Sequence, residues 1–203
     1  MWGRLVELLD VYDNFKNYVG SYPRDVVHKE GLWHNTVHCW LYDDDNNIYF
    51  QVRRDLNKLY TSASGHVDKG ETLEAALKRE VREELGLDVQ KEKCKYAGTV
   101  VWTSSEIRKG RPFIDNAFAN VFLLSIDSET KFNLGEDEVL GLVKFKAADV
   151  SDLLQSRMIN IKGIFIDNNK NMVENDYKVE DFLMNKDVFM KKYGFILELI
   201  KES

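Results

Sequence analysis

The stretch Gly65–Leu87, GHVDKGETLEAALKREVREELGL, decides the fold. Wound at about 100° per residue, Leu73, Ala76 and Leu77 share one face of a helix predicted over residues 72–85, as a core-facing stripe should. One turn later Glu80 and Glu84 occupy the same stripe, with Glu83 beside them. Lys78 and Arg82 fall on the opposite side, so amphipathicity is retained and only the chemistry of the inward face changes. Gly86 supplies the C-terminal stop.

Three carboxylates within about one helical turn repel one another, and partial burial raises the cost because each anion loses hydration. A hard divalent cation reverses that sign. Mg²⁺ and Mn²⁺ favour carboxylate and carbonyl oxygen, and the i, i+3, i+4 spacing puts Glu80, Glu83 and Glu84 within reach of one or two such ions. A solvated acidic surface is the ordinary reading of an EVREE run, and two features weigh against it. The glutamates continue the apolar stripe instead of avoiding it. The preceding SGHVDKGE also holds two glycines, which suit a tight loop whose backbone approaches a ligand closely and delivers the chain to a helix N-terminus.

Working outward, 203 residues with 44% hydrophobic content support one domain with a sizeable core. A net charge of −6 excludes a large basic footprint on a nucleic acid polymer or an anionic membrane. Glu7 and Asp10 interrupt the apolar N-terminus, which does not read as a signal peptide, and no run approaches a membrane span; a cytoplasmic location is expected. Cys39 and Cys94 lack metal spacing and are expected to be reduced packing residues.

Residues 1–25 read as a β-hairpin turning at Asp13-Asn14, with an initial helical turn over residues 1–8 as an alternative, and Pro23 closes the segment. Thr36 to Tyr42 and Ile48 to Arg53 form a second hairpin around the turn cluster DDDNN. Tyr96 to Thr103 and Ala117 to Ser125 are expected as strands flanking a basic loop, EIRKGR. A strand and then a helix starting near Ala148 and Asp149 follow. Residues 170–203 read as a closing helical extension whose surface suits a homodimer. Strands on both sides of one strongly marked helix indicate an α+β class with a mixed sheet.

From Gly65 the sequence runs Gly, five residues, Glu71, seven residues, then Arg79-Glu80-Val81-Arg82-Glu83-Glu84-Leu85-Gly86-Leu87, which resembles the complete Nudix box at every defined position. The resemblance implies a single Nudix-like domain, an α/β/α sandwich around a mixed sheet. It also implies hydrolysis of the pyrophosphate linkage of a nucleoside diphosphate derivative or a similar small diphosphate with Mg²⁺ or Mn²⁺. By position, Glu80, Glu83 and Glu84 would be metal ligands, Arg79 would orient the glutamates and Glu71 would support loop and helix. The box leaves the general base open among Glu83 and the downstream Glu136 and Glu138. Arg53, Arg54, His66 and Trp33 are candidate substrate contacts, the arginines for phosphate and the indole for stacking.

Residues 26–86 also resemble the isopentenyl-diphosphate isomerase branch of the superfamily, in which histidines upstream of the first long strand and before the box helix bind a divalent metal. His28, His34 and His66 occupy similar positions, the first pair needing a one-residue adjustment. Double-bond migration requires a proton donor and acceptor on opposite faces of the alkene. Where the isomerases carry Cys and Glu, this chain aligns Ser64 and Ala117, with Asp115 two residues earlier, and neither aligned side chain is an adequate proton donor or acceptor. A hydrolase is therefore expected over an isomerase, and over a non-catalytic nucleotide sensor, which has no need of the glutamates. His28 and His38 are read as buried, hydrogen-bonded histidines; His34 and His66 stand between that account and a ligand role.

Overall fold

β3 (Trp33–Asp43) organises the molecule, and its sequence explains why. Val37, Cys39 and Leu41 point to one face and Trp40 to the other, and all four are buried, the pattern of a strand covered on both sides. The computed structural model describes residues 6–108, 110–169 and 171–201. In it β3 runs parallel to β8 (Arg111–Ile126), from Trp33 opposite Asn116 to Asp43 opposite Ile126. Its other edge pairs antiparallel with β1 (Leu8–Tyr12), β6 (Ala63–His66) and β4 (Asn47–Arg53) in turn.

Among the described residues the mixed sheet has 11 strands and continues from β4 through β9 (Val139–Lys146) and β10 (Ile161–Ile166) to β11 (Met172–Tyr177). β2 (Tyr18–Pro23) extends β1, β5 (Leu59–Tyr60) pairs with β4, and β7 (Cys94–Arg108) pairs with β8. The DDDNN cluster turns because the Asp43 carboxylate accepts the Asn47 backbone N–H, the Asn47 amide and the Tyr49 hydroxyl at 2.8 to 3.0 Å.

Helix α2 (Leu73–Leu85) covers one face, burying Ala76, Leu77, Val81 and Leu85 against Val37, Cys39, Leu41 and Tyr49. Thr72 caps it by accepting the Ala75 N–H at 3.2 Å. On the other face α3 (Ala147–Leu154) and α4 (Lys186–Lys201) pack Leu153, Phe189, Tyr193 and Ile196 against Trp40, Phe50 and Phe145. The result is the expected α+β class, an α/β/α sandwich. Cys39 and Cys94 are free thiols.

Three sequence expectations need correction. The segment expected to be a closing helical extension opens with β11, paired residue for residue to β10, and among its described residues only Lys186–Lys201 is α-helical; the Asp167 carboxylate, bonded to the Asn171 N–H and amide, makes the turn that joins the two strands. The basic loop EIRKGR belongs mostly to strands, since β7 and β8 stay paired out to Arg108 opposite Arg111. After Pro23 the chain enters a short helix, α1 (Arg24–Glu30), which the sequence reading did not anticipate. The N-terminal hairpin is present as β1 and β2, and the alternative turn over residues 1–8 lies partly outside the described residues, with Leu8 already in strand.

Candidate active site

The second half of α2 brings the box glutamates to one end of the sheet. Glu84 is 6% exposed and accepts the Ser64 N–H at 2.9 Å and the Gln51 amide at 3.2 Å. Glu80 is largely buried, whereas the Glu83 side chain is 61% exposed. With Gly135, Glu136, Asp137 and Glu138 they line a cleft of about 180 Å³. Gly65 makes room for this arrangement: a Cβ there would sit 1.9 Å from Glu80 Oε1.

Arg79 binds the loop to the helix. Its guanidinium donates to both oxygens of Glu71 at 3.1 and 2.9 Å, to Glu80 Oε1 at 2.5 Å and to the His66 carbonyl at 2.9 Å, and it lies 3.5 Å from Glu83. Glu71 also accepts the Asp68 N–H at 3.1 Å, closing the loop on itself. Burial pushes Glu84 up to about 8 and Glu80 up to about 7, against the pull of Arg79 on Glu80 and of the Ser64 N–H on Glu84. Carboxylates that resist ionisation without a cation, in a cleft open to solvent, fit a hard divalent metal by donor chemistry and by the cradle that Gly65 leaves.

A second cluster lies where α1, β3 and β6 meet. The ligand nitrogens of His28, His34 and His66 all lie within 4.8 Å of one another. Their other ring nitrogens face oxygens: His28 Nδ1 the Arg24 carbonyl at 2.8 Å, His34 Nδ1 the Leu32 carbonyl at 3.1 Å and His66 Nδ1 the Glu7 carboxylate at 3.4 Å. Donation to those oxygens leaves three Nε2 lone pairs converging, with His28 and His66 only 3.3 Å apart. Asp115 Oδ1 lies 3.4 Å from His34 Nε2 and 3.9 Å from His28 Nε2; Asp115 Oδ1 and His34 Nε2 are both buried without a hydrogen-bond partner. Burial lowers the basicity of all three imidazoles, His66 to about 4. Neutral imidazoles oriented by outer oxygens, joined by a carboxylate, are a donor set for a divalent transition metal.

His28 and His38 are both buried and hydrogen-bonded as expected, His28 to the Arg24 carbonyl at 2.8 Å and His38 to Tyr193 Oη at 2.8 Å, and His28 in addition turns its Nε2 to the cluster. Of the expected substrate contacts, His66 joins the histidine cluster. Trp33 precedes His34 on β3, points to the opposite face and stacks on Phe118 with centroids 4.9 Å apart. Arg53 is committed to Asp55 at 2.9 and 3.0 Å, and Arg54 is exposed, its backbone N–H donating to the Glu138 carbonyl at 2.8 Å. Sequence reasoning missed Gln51 and Glu7; the one signal for Gln51 was a polar residue inside the apolar run IYFQV.

A glutamate-lined cleft at the end of a loop-helix element, on an α/β/α sandwich, defines a diphosphate-cleaving enzyme. The NUDIX domain model matches residues 32–167, and the chain belongs to the Nudix hydrolases, which act on diphosphate bonds. It is 31% identical over 199 residues to an uncharacterized Nudix hydrolase of Clostridium acetobutylicum, covering 93% of each chain. It is 29% identical over 135 residues to isopentenyl-diphosphate Delta-isomerase 2 of Photorhabdus laumondii, covering 64% of this chain and 73% of that protein. The crystal structure of DR0079 from Deinococcus radiodurans superposes with a TM-score of 0.52 at 21% identity over 74% of this chain and 89% of that one, a likeness of fold. Among the described residues no helix is long and apolar enough to cross a membrane.

Proposed function

We propose that this chain is a single-domain, Mg²⁺- or Mn²⁺-dependent pyrophosphohydrolase acting on a nucleoside diphosphate derivative or a similar small diphosphate. The observation that carries the reading is the convergence of Glu80, Glu83 and Glu84 on one cleft, with the first and last held largely buried. In this reading the three carboxylates hold the metal, Arg79 aims them and Glu71 holds Arg79. A cation held there would neutralise charge on the pyrophosphate and polarise a phosphoryl oxygen. Glu83, the most exposed of the three, and Glu136 and Glu138 across the cleft are the groups placed to accept a proton from the attacking water. Arg54, beside Glu138 and exposed, is the better placed of the two arginines for substrate phosphate. A cytoplasmic location and a homodimer belong to the same proposal.

The test is Mg²⁺-dependent turnover of a panel of nucleoside diphosphate derivatives and isopentenyl diphosphate, with products resolved by mass spectrometry and chromatography. Cleavage between phosphates, lost in Glu83→Gln, supports the hydrolase. Ligand binding without product would support a sensor instead.

The histidine cluster favours a second reading, an isomerase-like enzyme with a transition metal on His28, His34 and His66. Against it, Ser64 stands where a stronger acid is needed, and Ala117, opposite His34 in the β3–β8 register, offers no proton. Formation of the allylic isomer from isopentenyl diphosphate in the same panel would establish it.

A further inference from the structure

The far wall of the glutamate cleft is the Gly135–Glu138 loop, and its position is set by contacts the box does not contain. Two backbone bonds lay it on the end of α2: Asn133 N–H to the Leu85 carbonyl at 3.1 Å and Gly135 N–H to the Glu84 carbonyl at 3.0 Å. The approach is close enough that a Cβ on Gly135 would lie 2.5 Å from the Glu83 carbonyl oxygen. On the outer side stands Asn168, in the turn between β10 and β11. Its Oδ1 accepts the Leu134 N–H at 2.7 Å, and its Nδ2 donates to the Leu134 carbonyl at 2.9 Å and reaches Glu136 Oε1 at 3.5 Å. Only one orientation of the amide satisfies both Leu134 groups. The turn is itself braced by the two bonds from Asn171 to Asp167.

We propose that Asn168 is a positioning residue for the metal cleft: by clamping both backbone groups of Leu134 it holds the following loop in register, so that the Glu138 carboxylate faces Glu80 and Glu84 across the cleft and adds its negative charge to theirs at the cation. A side chain that mimics a strand partner is suited to this task, because it fixes translation along the chain as well as distance. Asn168 lies just beyond the segment that matches the family model, and so belongs to this chain's own bracing of the site.

The inference rests on the proposal that the box glutamates hold a divalent cation, and the two are separable by calorimetric Mg²⁺ titration. Mg²⁺ is the probe because imidazole is a poor ligand for it, which leaves the histidine cluster silent. Wild type should bind Mg²⁺ and Glu83→Gln should bind it more weakly; failure of both removes the underlying reading and this proposal with it. Given that binding, Asn168→Ala should weaken Mg²⁺ affinity about tenfold, the scale of losing an outer support of a metal site, and should raise the Mg²⁺ concentration for half-maximal turnover in parallel. In a Glu138→Gln background the same substitution should change Mg²⁺ affinity little, since the group being positioned is gone. Unchanged affinity in Asn168→Ala, or an equal loss in both backgrounds, would overturn the proposal and leave Asn168 a staple of the fold. If Asn168→Ala does not fold, Asn168→Ser, which retains an acceptor but loses the amide donor, enters the same comparison with the same expectations.

Discussion

Glu83 and Glu84 differ in environment by more than adjacent residues of one helix usually do, and the difference separates catalysis from folding. Glu83 is 61% exposed, so Glu83→Gln should leave the urea midpoint unchanged while lowering turnover by about 10²- to 10³-fold, the scale of removing one preorganised electrostatic group. A folded Glu83→Gln protein with normal turnover would remove the role assigned here. Gly65→Ala makes the complementary prediction. Its methyl group would displace Glu80 by contact at 1.9 Å, so turnover should fall by about 10²-fold, with a raised Mg²⁺ requirement; normal Mg²⁺ dependence in this variant would show that Glu80 need not sit where it does. The box was legible because its carboxylates lie on a stripe that periodicity reserves for apolar side chains. The histidine cluster was reached only through the resemblance to the isomerase branch, because His28, His34, His66 and Asp115 come from four separate elements, and no local pattern announces that three Nε2 lone pairs will meet.

Helix α2 divides its work along its length. Its first half is anchored by the Thr72 cap and by Leu77, 2% exposed, and its second half carries the carboxylates. Leu77→Ala should cost about 2–5 kcal/mol of stability by urea denaturation, and Thr72→Ala about 1 kcal/mol. Both variants should retain Mg²⁺-dependent turnover at temperatures where they stay folded. Loss of turnover in a fully folded Leu77→Ala protein would mean that the two halves are not separable. Sequence periodicity found α2 and the β3–β4 hairpin because each carries both its pattern and its punctuation, a Thr cap and Gly stop in one, a cluster of turn residues in the other. It missed α1, which is too short for a period to register and is stabilised by burying Val27 and His28. It also misread the start of the tail, because Met172–Tyr177 is an exposed outer strand whose side chains carry little alternation; β10 supplies its hydrogen bonds.

At the scale of the whole molecule, protonation connects the cleft to stability. Burial holds Glu84 to about 8 and Glu80 to about 7, against 4.5 for the free carboxyl, so over this range the folded chain binds more protons than the unfolded chain and stability falls as pH rises. His38 and His66 act with the opposite sign: burial depresses them from 6.5 to about 4, so their contribution to stability is lost as pH falls through that interval. The two effects oppose each other between about 4.5 and 6.5, and above 6.5 the glutamates act without that opposition. Metal-free protein should therefore show a thermal midpoint that declines from pH 6.5 to 8, measured by circular dichroism. Saturating Mg²⁺ should reverse the decline, because the cation binds the ionised carboxylates of the native state and stabilises it more as they ionise. Glu84→Gln should flatten the metal-free profile by deleting the cleft carboxyl with the larger upward displacement. A decline of the same slope in Glu84→Gln would place its origin elsewhere in a chain of net charge −6, where general repulsion also grows with pH. A flat metal-free profile in wild type would mean that the cleft carboxylates are already ionised near neutrality, and the cation would then bind without displacing protons.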